Sequence, residues 1–171
     1  MNRQTIEKIL NFLNTNEDKE LPNKWFDSIE KLKLIHELET HADGTQYRYN
    51  GNLDLNDSTI RKLPNDLYVE YSLNLRDSKQ LTKLPDKLHV EGNLILENCK
   101  QLTKLPDNLH VEGSLILDRC KQITELPNKL FVGGDLFLRG TIFATEYSDK
   151  EIKTIVKSTG GKIKGQIIRY Y

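Results

Sequence analysis

The chain repeats itself, and the repeating unit is short. LYVEYSLNLRDSKQLTKLPDK (67–87), LHVEGNLILENCKQLTKLPDN (88–108) and LHVEGSLILDRCKQITELPNK (109–129) superpose with a period of 21 residues. YRYNGNLDLNDSTIRKLPND (47–66) is a degenerate copy one residue shorter, and LFVGGDLFLRGTIFA (130–144) a truncated one. A unit this small cannot enclose a core of its own. It must stack its apolar face on its neighbours, so the repeat predicts a solenoid. Stacking turns each equivalent position into a column of residues, and surfaces built from columns generally bind rather than transform.

Within each unit the segment V-x-G-x-L-x-L alternates with strand period. Strand cores are expected at 52–56, 72–76, 93–97, 114–118 and 135–139. That makes about five parallel strands, in register and roughly 4.8 Å apart, in one curved sheet. The rest of each unit must carry the chain back. Leu-Pro at 63–64, 84–85, 105–106 and 126–127 marks this return leg, because proline lacks a ladder donor. The Asn or Asp that follows suits a turn. Gly51, Gly92, Gly113 and Gly134 lie at the strand entrance and predict a bulge there.

The flanks do not repeat. Residues 1–46 read as a helical N-terminal cap. Ile6, Ile9, Leu10 and Leu13 fall on one helix face, Trp25, Ile29, Leu32 and Ile35 on another, with Gly44 as a stop. Residues 145–171 read as a helix-strand C-terminal cap. Ser148-Asp149 starts the helix, Ile152, Ile155 and Val156 give it an apolar face, and Gly160-Gly161 ends it. The strand-like KIKGQII that follows would complete one more crossover. The expected fold is therefore an α/β solenoid: caps at 1–46 and 145–171, repeats at 47–144.

Composition narrows the function. Lys plus Arg number 25 and Asp plus Glu number 25, so no net charge favours nucleic acid or an anionic membrane. No apolar run approaches the ~18 residues that span a bilayer. MNRQTIEKIL lacks the apolar stretch of a secretory signal, so a cytoplasmic protein is expected, with delivery to a host cell by a non-cleaved signal as the alternative. Two cysteines do not make a disulfide framework.

The segment L-x-L-x-x-C-x-x-L-T-x-L-P resembles the leucine-rich repeat. It stands as Leu94, Leu96, Cys99, Leu102, Leu105, Pro106 and again as Leu115, Leu117, Cys120, Ile123, Leu126, Pro127. With Leu-Pro in its return leg, the unit is similar to the short 20–22-residue repeats of bacterial and phage proteins, including secreted effectors. The resemblance covers 47–144 and implies a fold rather than an activity. The usual leucine three residues before L-x-L is replaced by Glu70, Glu91, Glu112 and Gly133, with Val69, Val90, Val111 and Val132 one position earlier. Effectors that join such repeats to a ubiquitin ligase need a C-terminal nucleophilic cysteine. Residues 145–171 have none, so that activity is not expected.

Four columns carry candidate chemistry. Ser58, Ser78, Cys99, Cys120 and Thr141 follow the strand. The two cysteines suggest a redox pair but read better as buried structural thiols. Tyr68, His89, His110 and Phe131 suggest a metal site but read better as a packing stripe, since a third ligand is missing. Lys79, Lys100 and Lys121, with Lys83 and Lys104, suggest a phosphate-facing ridge but read better as a solvated convex face. The strand face is the sharpest signal. With the leucines inward, Asp54, Asn74, Ile95, Ile116 and Phe137 form an outward column that turns apolar toward its C-terminal end. Asn56, Arg76, Glu97, Asp118 and Arg139 flank it.

An apolar centre with a charged rim points to a protein-binding face, expected to be concave. Its residues would be Asn74, Arg76, Ile95, Glu97, Ile116, Asp118, Phe137 and Arg139. The alternative is that the C-terminal tail folds over the apolar column. No nucleophile elbow, phosphate loop or metal spacing is present, so neither catalysis nor a cofactor is expected. The expected function is an adaptor or inhibitor that binds one protein. The rival readings are a nucleic-acid binder using the lysine columns, or an effector acting on a host enzyme.

Overall fold

The computed structural model describes Leu34 and residues 46–169. Apart from Leu34 and residue 46, the N-terminal cap expected at 1–46 lies outside the described residues. Leu34 itself is helical and packs, partly buried, against the repeat core.

Strands form where alternation placed them, but each unit supplies two. Leu53–Asp54 (β2), Leu73–Asn74 (β4), Leu94–Ile95 (β6), Leu115–Ile116 (β8) and Leu136–Phe137 (β10) sit inside the five expected cores. A second set precedes them: Tyr47–Tyr49 (β1), Leu67–Val69 (β3), His89–Val90 (β5), His110–Val111 (β7) and Phe131–Val132 (β9). Lys162–Ile163 (β11) and Ile167–Ile168 (β12) complete a sixth rung. The described residues form a parallel β-solenoid of two six-stranded sheets. Sheet A runs β1-β3-β5-β7-β9-β11, and sheet B runs β2-β4-β6-β8-β10-β12. Register is strict: Leu73 pairs with Leu94, Leu94 with Leu115 and Leu115 with Leu136.

One sheet of five strands is thus corrected to two sheets of six. The reason lies in L-x-V. Leu67 and Val69, Leu88 and Val90, Leu109 and Val111, and Leu130 and Val132 all point into the core with 0–1% exposure. This pair has strand period in its own right.

The expected bulge is likewise a corner between the sheets. At Gly92 and Gly113 the neighbouring backbones stack too closely for a side chain, whereas Tyr71 at the equivalent position of the second rung points its ring into solvent. A Cβ on Gly113 would lie 2.6 Å from the Gly92 carbonyl carbon, and one on Gly92 would lie 2.7 Å from that of Tyr71.

Two further corners use left-handed backbone. Asp57, Asp77, Asn98 and Arg119 follow sheet B with φ between 46° and 62°, and Gly140 ends their column at 68°. Asp66, Lys87, Asn108 and Lys129 precede sheet A at 53–59°, and Gly160 ends theirs at 80°. Asp, Asn and Gly tolerate this region, whereas Lys and Arg enter it at a cost. Backbone hydrogen bonds to the next rung hold the turns. Asn98 N–H donates to Asp118 O at 2.9 Å, and Asn108 N–H to Asn128 O at 2.9 Å.

The core is continuous from Leu53 to Ile167 and includes Leu94, Leu96, Leu102, Leu105, Val111 and Leu115. After rung five the return leg changes. Ile142–Glu146 (α1) and Asp149–Ser158 (α2) replace the extended Leu-Pro leg. Ser148 caps α2 in a reciprocal box. Glu151 N–H donates to Ser148 Oγ at 3.3 Å, and Ser148 N–H donates to Glu151 Oε2 at 2.8 Å. The bond from the Ser148 side chain holds the Glu151 carboxyl below its usual range. Ile152 and Val156 are buried, and the chain then enters β11 and β12. No described helix is long and apolar enough to cross a membrane.

Candidate partner-binding faces

Sheet B presents the column expected to bind. Asp54 pairs with Asn74, Asn74 with Ile95, Ile95 with Ile116, and Ile116 with Phe137. Ile168 pairs with Phe137, so the C-terminal segment extends this column by one rung through strand pairing. Ile95, Ile116, Phe137 and Ile168 are each half-buried. At the polar end the side chains turn back on their own strand. Asn74 Oδ1 accepts from Arg76 N–H at 3.1 Å, and Asp54 Oδ1 from Asn56 N–H at 3.0 Å.

The flanking charges pair with one another across rungs. Glu97 lies between Arg76 at 3.4 Å and Arg119 at 3.6 Å. Asp118 is only 2% exposed. It accepts from Arg139 N–H at 2.9 Å and Nε–H at 2.7 Å, with Nη2 also in contact. Asp118 therefore orients Arg139 rather than offering itself to a partner. Arg119, exposed on the rim, was absent from the expected set.

A polar ladder beside this face gave little signal in the sequence. Asn52, Ser72, Asn93, Ser114 and Asp135 each accept the backbone N–H of the equivalent residue on the next rung, at 2.7–3.0 Å. The alternation of Asn, Ser, Asn, Ser and Asp at one column position was its trace.

Sheet A presents the aromatic column. Tyr68, His89, His110 and Phe131 stack face to face with centroids 4.6, 4.6 and 4.4 Å apart and planes within 14°. Cations cover both ends. The Arg48 guanidinium lies 4.4 Å from the Tyr68 ring centre, and Lys164 Nζ 4.9 Å from that of Phe131. Three carboxylates run alongside. Glu70 pairs with Arg48 at 2.7 Å, Glu91 accepts from the Tyr68 hydroxyl, and Glu112 lies 2.8 Å from His110 Nε2. The His110 bond holds the Glu112 carboxyl below its usual range. Burial, followed by the neighbouring His110, pulls His89 down. Among the described residues, no group of three or more His, Cys, Asp or Glu is placed to hold a metal.

The cysteines sit inside the turn. Cys99 Sγ donates to Leu75 O at 3.1 Å and Cys120 Sγ to Leu96 O at 2.9 Å, as Ser78 Oγ does to Leu55 O at 3.1 Å. Both thiols are free and fully buried. Burial pushes them up to about 12 and about 11, so they are poor nucleophiles.

The lysine columns are exposed. Lys83 and Lys104 line a groove of about 770 Å³ together with Glu125, Asp86 and Asp107, so its charge is mixed. Comparison with protein-family models, curated proteins and solved structures finds no match.

Proposed function

We propose that this chain is a short leucine-rich-repeat solenoid, with caps at 1–46 and 145–171, that binds a partner protein through the outward face of sheet B. It acts as an adaptor or inhibitor without catalysis of its own, in a reducing cytoplasm. The observation that carries this reading is the column Ile95, Ile116, Phe137 and Ile168. It is an apolar ridge of four paired rungs left half-open on the sheet. Its rim charges are already paired in place, so a partner would order few side chains on binding. Free, buried thiols agree with a reducing compartment.

The test begins with affinity capture from the native host and mass spectrometry, followed by a direct titration with the captured protein. Phe137→Ala should weaken that complex by about thirtyfold or more, as for a central aromatic contributing ≥ ~2 kcal/mol. Replacing Lys79, Lys100 and Lys121 together should leave the affinity unchanged. The reverse pattern, with salt-dependent binding of DNA or RNA, would establish the nucleic-acid reading instead.

A further inference from the structure

The aromatic column of sheet A holds two histidines in direct face-to-face contact, and its supply of counter-charge is uneven. His89 and His110 lie on adjacent rungs with ring centres 4.6 Å apart and planes 10° from parallel. His110 has a carboxylate of its own, Glu112, 2.8 Å from Nε2. The carboxylate beside His89 is Glu91, which is occupied by the Tyr68 hydroxyl. Glu70, the third in that row, is taken by Arg48. Both outer ends of the stack already carry a cation, Arg48 over Tyr68 and Lys164 over Phe131. His110 therefore has a hydrogen-bonded carboxylate of its own, whereas His89 has only Glu91 beside it, shared with the Tyr68 hydroxyl.

One backbone bond between the same rungs is long, although Glu112 N–H reaches Val90 O at 2.9 Å. His110 N–H reaches Leu88 O at 3.5 Å, whereas the equivalent bond one rung on, from Phe131 N–H to Leu109 O, is 2.9 Å. The 3.5 Å bond sits at the outer limit of useful geometry.

We propose that the Tyr68–His89–His110–Phe131 stack is a proton-responsive joint: charging His89, whose ring lies flat on that of His110, drives β5 and β7 apart. Burial and the neighbouring His110 already hold His89 below the ordinary imidazole range. The sign follows from linkage. A histidine that resists protonation when folded but accepts it when unfolded removes stability as pH falls. The loss begins near the unfolded value of about 6.5 and ends where native His89 itself is charged.

A histidine NMR titration of the full chain from pH 8 to pH 4.5 tests this, with amide exchange read at both ends and His110→Phe and His110→Gln as variants. The His89 midpoint should lie below the ordinary imidazole value. Removing the neighbouring His110 should raise the His89 midpoint by about half a unit or more. Past the His89 midpoint, exchange at the His110 and Glu112 amides should quicken about tenfold or more, while amides of β6 and β8 stay protected. The proposal is overturned if His89 titrates at the ordinary imidazole value, if His89 does not move in a folded His110 variant, or if exchange at the joint stays constant. Should His110→Phe not fold, the glutamine variant and the wild-type exchange data decide alone.

Discussion

Sheets A and B ride on the same rungs, yet their outward columns are finished differently. In sheet A the side chains spend their surface on each other. Four rings stack face to face, and a cation closes each end. In sheet B the aliphatic column Ile95, Ile116 and Ile168 is broken by one ring, Phe137, and the isoleucines beside it have no flat face to share. Branched chains touch along an edge and leave methyl groups half-open to water. Identical strand geometry thus yields one face that is internally satisfied and one with apolar surface to bury. That difference is why sheet B is the better binding candidate and sheet A the better place for a device internal to the fold.

The comparison can be broken in several ways. The largest effect should come from the core that both sheets share. Leu96 and Leu117 are fully buried. Leu96→Ala or Leu117→Ala should each lower stability by ~2–5 kcal/mol in chemical unfolding. Unchanged midpoints for both would mean the rungs do not share one core.

A smaller effect separates the faces. Phe131→Ala loses a ring stacked at 4.4 Å on His110 and covered by Lys164, while Phe137→Ala loses only partial burial. Phe131→Ala should therefore cost about 0.5–1.5 kcal/mol more than Phe137→Ala in urea melts. If Phe137→Ala is the costlier, its ring is structural and sheet B has no spare surface.

The smallest effect is in the turn column. Cys99→Ser should change stability by less than about 1 kcal/mol, because Ser58 and Ser78 already fill that column and Ser78 makes the same bond to a strand carbonyl. In the wild type, thiols raised to about 12 and about 11 should react with a disulfide reagent roughly a hundredfold more slowly than in the unfolded chain. Fast labelling of the native protein would place the column outside the core.

Much of this was legible in the repeat. The period fixed the stacking, alternation placed β2, β4, β6, β8 and β10, and Ser148 and Gly160 marked the ends of α2. Asp54, Asn74, Ile95, Ile116 and Phe137 do share one register of sheet B, because strand period decides which residues point outward. The second strand of each unit was missed because L-x-V is only three residues long. So short an alternation cannot be told from a bulged entrance until its neighbours stack beside it. The left-handed corners left a trace in Asp57, Asp77, Asn98 and Gly140, but Arg119 and Lys129 concealed it. Of the column expected as a charged rim, Arg76, Glu97 and Arg139 are at least partly exposed, whereas Asp118 is buried beneath Arg139.

The sequence by itself determined that this chain must be a solenoid, because a repeat of this length has no other way to remove its leucines from water. It also determined which residues share a column, since register follows from period alone. Only the tertiary structure decided how many sheets each unit makes and how each column is finished. Those outcomes depend on contacts between rungs: whether rings on adjacent strands can lie parallel within 4.6 Å, whether a carboxylate reaches the cation above it, and whether a corner has room for a Cβ. Such contacts join residues about one full period apart, and one-dimensional alternation does not encode them.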